Sequence, residues 1–258
     1  MEIVLTCSEL SKYTGHNKYD AKNIVIDKLL KRCGIKDCYI PKSNIEQSLV
    51  ELDPKELLQL KNELKLPEST SVLDIEKIVK QKIMSSSYNP NISESQSKDL
   101  IDMHTKNNPI MKKISHSIKQ DLQMRRGNIK ENKNLDKIQS KQNIAITKRN
   151  SCMYTKPLYS CEDYTILLRG KIDGQTDDTI IESKNRTNRL FYELRPYERV
   201  QLESYMFLTG MKKAILTEHY NKTENCIEYT HNKDFWDDCV EKTISFIDTY
   251  IKPHITQK

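Results

Sequence analysis

The stretch Tyr164–Tyr205 reads YTILLRGKIDGQTDDTIIESKNRTNRLFYELRPYERVQLESY. Its first apolar run ends at Asp173, and a second, Thr179 to Ile181, leads into Glu182-Ser183-Lys184. Residues two apart on a strand share a face, so Glu182 and Lys184 project together. Ser183 points away and still offers its backbone carbonyl. Asp173, at the end of the neighbouring strand, can converge on the same point. The helix expected over Pro196 to Thr209, stopped by Gly210, presents Gln201 and Tyr205, which are four apart and so on one face.

These residue types suit phosphodiester hydrolysis. A hard cation polarises the phosphoryl oxygen and makes hydroxide near neutral pH, and carboxylates supply its oxygen ligands. Asp173, Glu182, the Ser183 carbonyl and Glu131 from an upstream helix form the candidate ligand set for Mg²⁺, with Mn²⁺ as a substitute. Lys184 would orient or help deprotonate the attacking water, or offset charge in the transition state. Gln201 and Tyr205 would contact a phosphate or the surroundings of that water. Each pair alone is common in a lysine-rich chain. The joint order of Asp, then Glu-x-Lys after a strand, then Gln-x-x-x-Tyr on a helix points to a metal-dependent nuclease.

Working outward, 258 residues can bury a core as one domain carrying an insertion. No run of about 18 apolar residues exists, so no transmembrane helix is expected. The opening MEIVLTCSEL does not read as a signal peptide. Seven scattered cysteines without a C-x-x-C pair argue for a reducing compartment, cytoplasmic or nuclear, and against a zinc knuckle or disulfide framework. The net charge of +6 is uneven: residues 101–150 hold twelve Lys or Arg against four Asp or Glu. Such a stretch attracts a polyanion through phosphate contacts, or is a solvated helix face. Arg125 and Arg126 in that run, and Arg186 and Arg189 after the Glu-x-Lys strand, are candidate phosphate contacts.

The rest of the chain predicts a strand at Met1–Thr6 and helices over 9–13 and 19–33. A helical insertion is expected at 36–98, with a helix entered at Asp53-Pro54, an apolar stripe of Val72, Ile75, Val79 and Ile83, and a polar linker over 85–97. A helix starts at Asn108-Pro109. Strands follow at 143–147, 153–159, 164–172, 179–184, 213–220 and 226–230, with 164–172 and 179–184 joined by a tight turn. A last helix is capped by Asp234. The fold class is therefore α/β or α+β, a central mixed sheet flanked by helices. One nuclease domain is expected over 1–258, with its catalytic core over 120–220.

At Gly127-x-x-x-Glu131-Asn132, Asp173-Gly174, Glu182-Ser183-Lys184 and Gln201 followed by LESYMFLTG, the sequence resembles the PD-(D/E)XK nuclease superfamily. More narrowly it looks like the phage lambda exonuclease, or YqaJ, branch. Leu5-Thr6-Cys7-Ser8-Glu9-Leu10 is similar to that branch's N-terminal segment, which implies that Ser8 lies near the DNA end. The resemblance implies a restriction-endonuclease-like fold and a Mg²⁺-dependent DNA exonuclease of recombination, repair or viral genome replication. It makes Asp173 and Glu182 metal ligands and Lys184 catalytic, with Glu131 and Gln201 in support. A viral replication site, a single-strand annealing partner and a ring-forming homo-oligomer would follow from the family alone. Ile172 stands where the family has proline. The cysteine spacing does not support the iron–sulfur cluster of some relatives. An endonuclease of the same superfamily, cutting DNA interiors, junctions or RNA, is the alternative enzyme. A DNA-binding protein that kept the fold without catalysis is the alternative of another class.

Overall fold

The computed structural model describes residues 1–255 apart from 38, 40, 42, 85–88, 90 and 91, with backbone alone at 83 and 84. In chain order its elements are β1 (Glu2–Thr6), α1 (Leu10–Tyr13), α2 (Lys22–Arg32), α3 (Asn44–Val50), α4 (Pro54–Glu63) and α5 (Val72–Val79). A π-helical turn (Lys80–Met84), α6 (Glu94–Thr105) and α7 (Pro109–Gln142) follow. Then come β2 (Met153–Ser160), β3 (Thr165–Lys171), β4 (Gly174–Gln175), β5 (Thr179–Asn185), α8 (Pro196–Thr209), β6 (Lys213–Tyr220), β7 (Thr223–Thr230), α9 (Lys233–Tyr250) and α10 (Lys252–Ile255). The fold is mixed α/β. No helix among the described residues is long and apolar enough to cross a membrane.

The chain divides into two units, Met1–Cys38 with Asn134–Lys258, and Tyr39–Lys133. The sequence predicts a helical insertion at 36–98; the second unit runs from Tyr39 to Lys133 and takes in the first part of α7.

The first unit holds both sheets. β1 pairs parallel to β3, and β2 antiparallel to it, in the order β1-β3-β2. The second sheet runs β4-β5-β6-β7, with β5 and β6 parallel in its centre. Alternation builds these strands: Ile3 and Leu5 of β1, with Ile166 and Leu168 of β3, turn inward and are fully buried. They pack with Val200 and Leu202 of α8 and Trp236 and Ile247 of α9 in one core. A smaller cluster joins Leu135, Ile138, Ile146 and Ile181. Backbone comes close at Gly170, where an added Cβ would lie 2.4 Å from Cys7 Sγ and 3.1 Å from Tyr205 Cε1.

The hairpin before Glu182 differs from expectation. Its partner for β5 is the two-residue β4, in which Gly174 pairs with Ile181, while β3 belongs to the other sheet. Residues 143–147 form no strand: Asn143 turns left-handed at φ 53, and only Thr147 bridges, to Gln175. The apolar alternation there fills the Ile146 cluster instead of extending a ladder. Asn232, not Asp234, caps α9, its Oδ1 accepting from Phe235 N at 2.9 Å.

The second unit is helical, around Ile45, Leu49, Leu60, Ile75, Val79, Ile101, Ile114 and Ile118. α4 starts as the sequence predicts, with Asp53 accepting from Glu56 N. The expected linker over 85–97 lies in part outside the described residues, as does the Ile83 side chain. From Ser93 onward it is a helix start, closed by a capping box with Gln96.

Candidate active site

β5 and α8 bring four of the expected residues together. Lys184 Nζ lies 2.6 Å from Glu182 Oε1 and donates to Gln201 Oε1 at 3.1 Å. Gln201 Nε2 donates to the same Glu182 oxygen at 3.0 Å and to the Tyr205 hydroxyl at 2.8 Å. Asp173 joins from the turn before β4, its Oδ2 accepting from Ser183 N at 2.8 Å. The local reasons are those of strand and helix periodicity: Glu182 and Lys184 share one face of β5, and Gln201 and Tyr205 one face of α8. α8 is set at both ends. Pro196 occupies its first turn, and Gly210 at φ 79 lets its N–H reach Met206 O at 2.8 Å.

Glu182 is 3% exposed, and its Oε2 has no hydrogen-bond partner. A buried carboxylate oxygen without a donor is costly unless a cation meets it. Burial alone would lower the Lys184 pKa, but Glu182 and Asp173 beside it outweigh that and hold it above its ordinary value. The lysine is therefore an ammonium at neutral pH. Tyr205 is buried, and burial, with Glu182 and Cys7 adding, raises its hydroxyl well above the usual tyrosine value.

Among the described residues no three His, Cys, Asp or Glu side chains gather to hold an ion by themselves. The first unit supplies the Asp173 carboxylate, the Glu182 carboxylate with its unpartnered Oε2, and the Ser183 carbonyl. That donor set fits Mg²⁺, which is commonly held by one or two carboxylates with waters and substrate phosphate oxygens completing the shell. The chemistry it would supply is polarisation of the phosphoryl oxygen and a lowered pKa for a bound water.

The other sequence-predicted residues have the following surroundings. Glu131 is half-buried on α7 in the Tyr39–Lys133 unit, which also contains Arg125 and Arg126. Arg125 is exposed. Arg126, expected at phosphate, is 2% exposed and ion-paired with Glu94, and it donates to the carbonyls of Asn89 and Ile92. An added Cβ at Gly127 would meet nothing within 4 Å. Arg186, also expected at phosphate, is buried between Glu198 and Glu218. Tyr205, expected to contact a phosphate or the surroundings of the water, accepts from Gln201 Nε2 at 2.8 Å. Ser8 is exposed and hydrogen-bonded to Thr6 at 3.3 Å, and Arg189 is exposed beside Phe191.

The sequence did not single out Glu198, Glu218 or Thr217, and it read His219 as an ordinary surface or core residue. Thr217 donates to the Glu182 carbonyl at 3.2 Å, fixing the strand behind the carboxylate. Glu198 was legible as a third-position helix acid, and its Oε2 accepts from Arg195 N. On the opposite face of β6 from Glu218, His219 is 7% exposed, and its Nε2 has no partner. Burial lowers its pKa from 6.5 to about 4, with Glu224 opposing and Lys137 assisting. A depressed histidine pKa contributes stability that is full above the unfolded value and is lost as pH falls toward the folded one. Going from about pH 7 to about pH 5 is expected to cost about 2 kcal/mol through this residue. Urea denaturation of wild type and His219→Gln at both pH values measures it: the wild type should lose that much more than the variant.

No family model and no curated protein matches the chain. Among solved structures, it is similar to an alkaline exonuclease (LHK-Exo) from Laribacter hongkongensis at 10% identity and a TM-score of 0.43, covering 69% of this chain and 95% of that one. It is also similar to a phage-related exonuclease from Haemophilus somnus 129PT at 11% identity and a TM-score of 0.43, covering 100% of this chain and 97% of that one.

Proposed function

We propose that the chain is a metal-dependent deoxyribonuclease, an exonuclease that processes DNA ends in recombination, repair or viral genome replication. The observation that carries this reading is the buried, unpartnered Glu182 Oε2, next to Asp173 and on the same strand face as a charged Lys184. Asp173, Glu182 and the Ser183 carbonyl would hold Mg²⁺ or Mn²⁺. The Lys184 ammonium orients the attacking water and offsets charge on the phosphoryl oxygens in the transition state. Gln201 fixes both Lys184 and Glu182, and the Tyr205 hydroxyl fixes Gln201, so these two are positioning residues. Incubation with 5′- and 3′-labelled linear duplex and closed circular DNA, with and without Mg²⁺, tests the proposal. Metal-dependent release from an end, with the circle intact, is the expected result. Cutting of the circle refutes the exonuclease, and absence of cleavage across several divalent ions refutes the nuclease.

A further inference from the structure

Tyr192 lies on the connection between β5 and α8 and is 70% exposed. Its backbone is left-handed at φ 61, a conformation that is strained for a bulky residue. Glu218 holds it there. The backbone N–H groups of Phe191 and Tyr192 donate to that carboxylate at 3.2 and 2.9 Å. Glu218 is fully buried and paired with Arg186 at 2.6 Å, so the loop is pinned from inside.

The surroundings alternate rings and guanidiniums. The Phe191 ring centroid lies 4.7 Å from Arg186, 4.6 Å from Arg195 and 5.7 Å from Arg189. Tyr19 is 78% exposed and edge-on to Tyr197 at 6.1 Å. Glu193 partly neutralises Arg195, at 2.9 Å. An ordinary solvated loop needs neither a strained tyrosine nor a buried carboxylate to hold it. Exposed rings beside Arg189 and Arg195 suit unpaired nucleotides, whose bases stack and whose phosphates meet those two guanidiniums, Arg186 being spent on Glu198 and Glu218. The loop leaves β5 just after Lys184 and enters α8 about one turn before Gln201. A strand on it would lie beside the Glu182–Lys184 centre.

We propose that the connection between β5 and α8 binds unpaired terminal nucleotides of a DNA strand, with Tyr192 as the stacking ring and Tyr19 as a second. The strand's onward path to Glu182 rests on the nuclease reading; the binding does not. The test uses the full chain without divalent ions and a single-stranded DNA oligonucleotide carrying 2-aminopurine at its end. Wild type should bind it and quench the fluorophore by stacking. Tyr192→Ala should weaken binding about tenfold and remove most of the quench, while Tyr192→Phe keeps both. Tyr19→Ala should weaken binding in the same direction by less, and blunt duplex binding should not respond to Tyr192→Ala. Unchanged binding and quench in Tyr192→Ala would overturn the proposal, as would equal losses in the alanine and phenylalanine variants. A Tyr192-dependent quench in a chain that cleaves nothing leaves this site standing and removes the nuclease. Cleavage with a Tyr192-independent quench does the reverse.

Discussion

Glu182→Gln is expected to lower metal-dependent DNA cleavage by at least about 10³-fold while nucleic-acid binding persists. The substitution keeps the side chain's shape and its capacity to accept from Lys184 and Gln201, which both address Oε1. What it removes is the negative charge behind the unpartnered Oε2. A cation held by that oxygen and Asp173 would lose a ligand. A Glu182 that served only to pair Lys184 would tolerate the amide with little change in rate. Lys184→Met is expected to cost about 10²–10³-fold, the usual scale for one electrostatic stabiliser of the transition state. It also leaves Glu182 without its counter-charge, so a thermal melt accompanies it to separate chemistry from folding. Isothermal titration with Mn²⁺ gives a second readout: Glu182→Gln should weaken ion binding, and Lys184→Met should not, because removing a nearby positive charge favours a cation. Equal cleavage rates in wild type and both variants would sink the assignment.

The parts of this site that were legible in the sequence are those set by local periodicity. Glu182 and Lys184 declare a common face by being two apart after an apolar run, and α8 declares its own limits through Pro196 and Gly210. The pairing of those elements was not legible. β4 is two residues long, too short to leave a pattern, so the apolar run of β3 looked like the hairpin partner of β5 when its ladders are with β1 and β2. The arginines failed for a related reason. A guanidinium near a basic run reads as a phosphate contact until the fold supplies carboxylates. Glu94 reaches Arg126 from 32 residues away, and Glu218 reaches Arg186 from 32 away on a neighbouring strand. Tyr205, on one helix face with Gln201, reads as a contact for a phosphate or for the surroundings of the attacking water. The close approach of β3 at Gly170 buries Tyr205.

The fate of Arg186 makes the second large prediction. If it held a phosphate, Arg186→Met would weaken DNA binding and reduce its salt dependence, with stability unchanged. The structure instead buries it between two carboxylates, Glu198 at 2.5 Å and Glu218 at 2.6 Å, and both of those are also buried. Removing the one cation leaves two acids without their shared partner, which is expected to cost about 3–5 kcal/mol. Urea denaturation near neutral pH measures this. Arg186→Lys should recover only part, since an ammonium cannot present a planar fork to two acids. The pH dependence separates charge from lost packing. Burial raises the Glu218 pKa, but the Tyr192 N–H, Arg186 and the Phe191 N–H together outweigh it and hold the value below the ordinary 4.5. A depressed carboxylate stabilises the fold above its unfolded pKa, and that contribution is lost as pH falls through the folded one. Wild type therefore loses this stabilisation on acidification, whereas protonation relieves the two stranded acids of Arg186→Met. The gap between the two proteins should be widest near neutral pH and narrow as the pH approaches about 4. A gap independent of pH would mean the loss is packing alone. Because Glu218 also anchors Phe191 and Tyr192, the methionine variant should disorder the loop beside the site even where the fold survives, seen as faster amide exchange at those two N–H groups.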